Sequence, residues 1–152
     1  MHKSAQGRIL ALDVGRRRIG LAISDPLRIT AQGLETFERK NLREDLARLV
    51  RLASEREVVL FLVGLPLHMS GHESAQSAYV RDFAARLSDA SGVPVEFWDE
   101  RLTTREAERA LREGSATLKR KKRSVDRMAA VLLLESYLDS RAEEAPWEPP
   151  PA

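Results

Sequence analysis

The chain has 152 residues, 43% hydrophobic and 32% charged, which fits one globular domain with a charge-rich surface and excludes a fibrous or wholly disordered protein. With no cysteine, disulfides, thiolate zinc sites and cysteine nucleophiles are excluded, and a reducing compartment fits. The net charge is only +2, but the pI is near 9.2 and the bases crowd into two runs, Arg16–Arg18 and Lys119–Arg123, so two local positive patches are expected.

The first apolar run is cut short by Asp13, too early for a signal peptide, and no later run nears the roughly 18 apolar residues of a membrane span. A cytoplasmic protein with no membrane contact is expected. Residues 8–14 (RILALDV) and 19–24 (IGLAIS) read as strands joined by a Gly-Arg-Arg-Arg hairpin, and a less apolar edge strand follows between Thr30 and Glu38. Asn41 with Glu44 resembles a capping box, and Leu42, Leu46, Leu49, Val50 and Ala53 repeat at helical spacing, predicting a helix to about Arg56. Val58–Val63 is an uninterrupted apolar run that suits a strand buried on both faces. A helix from about Glu73 to Ala90 is stopped by Gly92 and Pro94, and Val95, Phe97 and Trp98 form a short strand that delivers Asp99 and Glu100 at its carboxyl end.

Thr103 with Glu106 predicts a helix to Gly114. The dense like charges of Lys119–Arg123 predict a mobile surface loop, after which Ser124 caps a last helix from Val125 to about Ser140. One domain over 1–140 and a disordered, proline-rich tail over 141–152 are expected. The fold class is α/β: a five-stranded mixed sheet, its first three strands an antiparallel meander and the last two parallel, flanked by helices on both faces.

Asp13 and Glu100 end strands, and Asp126 falls in the first turn of the last predicted helix, on the stripe of Ala129, Ala130 and Leu133. Singly, each has a structural explanation: Asp13 beside Gly15 suits a turn, Arg101 or Arg127 suits Glu100 as an ion-pair partner, and Asp126 favours a helix dipole by about 0.3–1 kcal/mol. Three such acids on core elements point instead to a shared site. Converging carboxylates without a His or Cys cluster suit a hard cation, Mg²⁺ or Mn²⁺. A pair of such ions is the apparatus of phosphodiester hydrolysis. The arginines at 16, 17 and 18 and the residues Lys119, Arg120, Lys121, Lys122 and Arg123 are then candidates for gripping nucleic acid, since bare acids repel a polyanion. His72 lies in a loop at the head of a helix, where backbone N–H groups meet phosphates; with Gly71 beside it and no thiolate, its pairing with His68 does not make a zinc site. Asp25 reads as a turn residue, and Tyr79, Phe83, Phe97 and Trp98 as core.

The blocks ALDVGRRRIGLAISDP, VGLPLHMSGHES, VPVEFWDERLTTREAE and SVDRMAAVLLLESYL, in that order, resemble the signature blocks of the YqgF family, also called RuvX. The resemblance implies a ribonuclease H-like fold and a bacterial, metal-dependent nuclease that matures the 5′ end of the 16S ribosomal RNA precursor. It also places the family's acids on Asp13, Glu100 and Asp126. The strand ending in Gly64-Leu65-Pro66 departs from the wider superfamily in lacking a carboxylate, which leaves Asp99 as a competitor to Glu100. Holliday junction cleavage, which requires a homodimer rather than a monomer, and a non-catalytic assembly factor are the competing functions. RNA is the expected partner, with branched or single-stranded DNA as alternatives. Actin-like phosphotransferases share the Asp-x-Gly start but need a duplicated domain, for which 152 residues are too few.

Overall fold

The computed structural model describes residues 7–67, 71–100 and 118–144, and within the last stretch the side chains from Met128 to Arg141. Its elements are β1 (Arg8–Val14), β2 (Arg18–Ser24), β3 (Ala31–Glu38), α1 (Leu42–Glu55), β4 (Val58–Leu65), α2 (Ala75–Ser91), β5 (Val95–Asp99) and α3 (Leu118–Glu144). The five strands form one sheet in the order β3-β2-β1-β4-β5. β1, β2 and β3 pair antiparallel, while β4 runs parallel to both β1 and β5. The expected α/β architecture is therefore present. β3 is an edge strand with one buried residue, Phe37, as its weak hydrophobicity implied.

Alternation along the central strands divides the core into two layers. Leu10, Leu12, Val14, Phe61, Val63 and Leu65 face Leu49 and Ala53 of α1 and Val80, Phe83 and Leu87 of α2. Ile9, Ala11, Ala22 and Leu62 face Ala130, Leu133, Leu134 and Tyr137 of α3. Burying such a side chain stabilises the fold by about 1.5–3 kcal/mol, so the two layers, rather than any polar contact, hold the sheet between its helices. Trp98 of β5 fixes α3 further: its ring meets Tyr137 edge-on at 5.4 Å, and its indole N–H donates to Ser136 at 3.1 Å. Tyr137 in turn donates to Glu96 at 2.9 Å, and Arg141 donates to both.

Local signals account for most boundaries. The Asn41 side chain accepts from the Glu44 N–H at 2.9 Å and caps α1. α2 begins one residue later than Ser74, whose hydroxyl accepts from Ser77 while the Ser77 hydroxyl accepts from the Ser74 N–H, a reciprocal box built from two serines. It ends at Gly92, which takes the left-handed conformation at φ 74.

Two expectations fail around α3. The run from Lys119 to Arg123 is the start of this helix, not a loop, and Ser124 lies inside it rather than at its cap. Lysine and arginine are good helix formers, and a like-charge pair one turn apart costs only about 0.2–0.5 kcal/mol. Extending a helix already anchored by Ala130 and Leu133 outweighs that. The helix also continues to Glu144, so residues 141–144 are helical rather than tail. The predicted helix from Thr103 to Gly114, His68 and the segment 145–152 lie outside the described residues.

Candidate active site

The pleat of the sheet decides which acids can meet. Asp13 shares the parity of Ile9 and Ala11, and therefore stands on the face covered by α3. On β5, Trp98 lies in the α3 layer and Phe97 in the opposite one, so Glu100 falls on the α3 side and Asp99 on the other. β1 and β5 are not paired with each other; β4 lies between them. Its residue at this level is Gly64, paired with Trp98 one step before the backbone N–H of Glu100 donates to Leu65 at 3.1 Å.

Gly64 lets the acids cross that gap. A Cβ at this position would stand 2.9 Å from Glu100 Cγ and 3.0 Å from its Oε1, so the Glu100 side chain lies directly over the glycine. There it reaches Asp13 in a side-chain hydrogen bond. Burial first, then this hydrogen bond, then the negative charges of Asp13 and Asp99, push the Glu100 carboxyl from its ordinary 4.5 up to about 9. On the other side Asp13 pairs with Gly20 of β2, again a position without a side chain. β4 carries no carboxylate at this level, and the space over Gly64 is taken by the Glu100 side chain from the end of β5.

Asp126 is carried by α3 one turn before Ala130 and two before Leu133, both buried against the same sheet face as Asp13. It lies two turns inside the helix rather than in the first turn, which removes the dipole explanation. Its side chain, like those of Lys119, Arg120, Lys121, Lys122 and Arg123, is outside the described residues. Among the described residues, no group of three His, Asp or Glu side chains gathers as a metal site. The structure therefore joins Asp13 and Glu100 and brings the helix of Asp126 to their face.

The predicted basic tip is pinned from below. The Gly15 N–H donates to Arg18 at 2.9 Å, closing the hairpin immediately after Asp13 and β1. Arg39, at the end of β3, holds this tip twice: its backbone N–H donates to the Arg17 carbonyl at 2.8 Å and its guanidinium to the Gly15 carbonyl at 3.1 Å. Nε of Arg39 bonds Asp45 at 2.9 Å, and the same guanidinium donates to the Tyr79 hydroxyl. Arg16 lies over the Tyr79 ring, 4.3 Å from its centroid. Tyr79 is half-buried and packs against the core as expected, and its ring also carries Arg16. His72 is exposed in the loop before α2. Asp25 is a turn residue as expected, its carboxylate accepting from the N–H groups of Leu27, Ile29 and Thr30.

Comparisons with known proteins identify the family and the fold. The RuvX family model, described as Holliday junction resolvase, matches residues 7–140. A protein of Koribacter versatilis named "Putative pre-16S rRNA nuclease" is 51% identical over 138 residues, 91% of this chain and 90% of that protein. A protein of the same name from Symbiobacterium thermophilum is 46% identical over 139 residues, 91% of this chain and 96% of that one. Among solved structures, T. thermophilus RuvC in complex with a Holliday junction substrate superposes with a TM-score of 0.58 at 15% identity, covering 91% of this chain and 98% of RuvC. The Fowlpox virus resolvase with its junction DNA gives 0.55 at 12%, covering 88% and 98%. Those two likenesses establish a common ribonuclease H-like fold. With a family model matched along 7–140 and relatives about half identical over 91% of its length, the chain belongs to the RuvX family of nucleases.

Proposed function

We propose that the chain is a divalent-metal-dependent nuclease that hydrolyses phosphodiester bonds of RNA, acting in the cytoplasm on the 5′ end of the 16S ribosomal RNA precursor. The observation that carries the reading is the Glu100 carboxyl lying over Gly64 against Asp13. Holding two acids together in this way costs desolvation and repulsion, which a bound cation offsets. A proton relieves their repulsion at neutral pH, and a divalent cation would relieve it instead. The donors are all oxygen, which fits Mg²⁺ or Mn²⁺. Asp13, Glu100 and Asp126 would hold a pair of such ions, whose chemistry is to activate water and to neutralise charge on the phosphate.

The remaining work falls to residues of the chain. Glycines at 20 and 64 flank Asp13 on the neighbouring strands, so β2 and β4 place no side chain of their own against it. Arg16, Arg17 and Arg18 follow Asp13 directly and would hold the substrate backbone, as would the five consecutive bases Lys119–Arg123 in α3. The names carried by relatives at 46–51% identity support the precursor RNA as substrate.

A second reading is cleavage of four-way DNA junctions, supported by the family description and by the fold shared with RuvC. It requires two sites and hence a homodimer, where RNA cleavage is open to a monomer. The test is to incubate the protein with precursor-derived RNA and with junction DNA in Mg²⁺, Mn²⁺ or chelator, beside Asp13→Asn. RNA cleaved only with metal, and not by the variant, is expected. Equal cleavage by Asp13→Asn would end the assignment, and a variant that keeps full biological function would favour an assembly factor.

A further inference from the structure

The geometry points to Arg16 as a phosphate-binding residue held ready on the face of Tyr79, with Arg39 as the positioning residue that keeps the two together; the inference rests on the nuclease reading. An arginine on an exposed hairpin tip ordinarily samples many rotamers, and fixing it on binding loses side-chain entropy. Here the guanidinium is already docked on a ring at 4.3 Å, one residue beyond Gly15 and three beyond Asp13. A stacked guanidinium keeps its edge N–H groups outward, the edge that pairs with phosphate oxygens.

The ring is itself fixed. The Tyr79 hydroxyl accepts from Arg39, whose guanidinium lies 4.8 Å from the Phe83 centroid and is bonded to Asp45 and to the Gly15 carbonyl. One guanidinium thus ties the tip that carries Arg16 to the helix that carries its platform. Arg39 and Asp45 are nearly buried, at 9% and 3% side-chain exposure, so this clamp is part of the core while Arg16 above it faces solvent. A purely structural network would not require the exposed Arg16 to sit on the ring.

The test is equilibrium binding of a fluorescent single-stranded RNA in chelator, where cleavage is absent, over a range of salt. Losing one phosphate contact should make Arg16→Ala about fivefold weaker near 0.1 M salt and reduce the salt slope by about 0.7. Tyr79→Leu should weaken binding about two- to fivefold, and the double variant should be no weaker than Arg16→Ala alone. Tyr79→Phe, which keeps the ring but loses the hydroxyl that accepts from Arg39, should bind with an affinity between those of Tyr79→Leu and the wild type. An unchanged salt slope in Arg16→Ala, or additive losses in the double variant, would overturn the inference and leave the nuclease reading standing. Wild-type protein that binds neither RNA nor junction DNA would overturn both.

Discussion

Replacing Gly64 with alanine should separate activity from folding. The new Cβ would stand 2.9 Å from Glu100 Cγ and 3.3 Å from its Cδ, against an ordinary carbon contact of about 3.5–4.0 Å. Glu100 must therefore retreat by roughly 0.6–1 Å, away from Asp13. The strand itself need not move, because the three nearest atoms all belong to that one side chain and Gly64 has no left-handed backbone to protect. Overpacking costs about 1–3 kcal/mol, and the stiffer unfolded chain offsets about 0.4–1 kcal/mol of it. A misplacement near 1 Å at reacting groups lowers rate by about 100-fold, equivalent to roughly 2.7 kcal/mol of barrier. We expect Gly64→Ala to fold, with a melting temperature a few degrees lower, to cleave RNA about 100-fold more slowly, and to be stabilised less by added Mn²⁺ than the wild type. Activity within threefold of wild type, with the metal response intact, would refute the claim that Glu100 acts across the gap left by Gly64.

Three other outcomes follow from the same contacts. Because Glu100 titrates near 9 in the fold against its ordinary 4.5, the folded chain keeps a proton that the unfolded chain releases between those values. Stability in chelator should thus fall as pH rises through that window, and Glu100→Gln should flatten the decline; urea midpoints at pH 5, 7 and 9 with the same slope in both proteins would count against it. Asp45→Ala leaves the Arg39 guanidinium in the core without its carboxylate and should cost about 3 kcal/mol, or about 10 °C by calorimetry; a loss under 3 °C would show the ion pair to be incidental. Asp25→Ala removes the acceptor of three backbone N–H groups in the β2–β3 loop and should lower stability by about 1 kcal/mol at neutral pH. The bonds from Thr30 and Ile29 hold the Asp25 carboxyl below its ordinary 3.8, so the difference from wild type should persist above that value and vanish as pH falls through the folded one; a difference that survives strong acid would contradict this.

How much of this could be read from residue order alone varies with the range of the interaction. RILALDV and VVLFLV declare strands by themselves, and the weakness of β3 told that it lies at an edge. Asp13 at a strand end was legible for the same reason. The choice between Asp99 and Glu100 was in principle available from alternation, since Phe97 and Trp98 are assigned to opposite layers, but only once the layers are known. Gly64 was the reverse case: along the chain it looks like a strand end lacking an acid, and its value emerges only when β5 is seen to reach over it. The Arg39 clamp joins residues 24 and 40 positions apart, a relation no local pattern carries. The start of α3 was misread because the repulsion within Lys119–Arg123 was weighed without the anchorage that Ala130 and Leu133 provide downstream.

The claim on which the account turns is that acids from β1, β5 and α3 bind the same ions, and Asp126 is the member to challenge. Titration calorimetry of Mn²⁺ into the wild type and into Asp126→Asn tests it most directly. The account predicts that the single change on α3 weakens or abolishes Mn²⁺ binding as Asp13→Asn does. Wild-type affinity and stoichiometry in Asp126→Asn would contradict it.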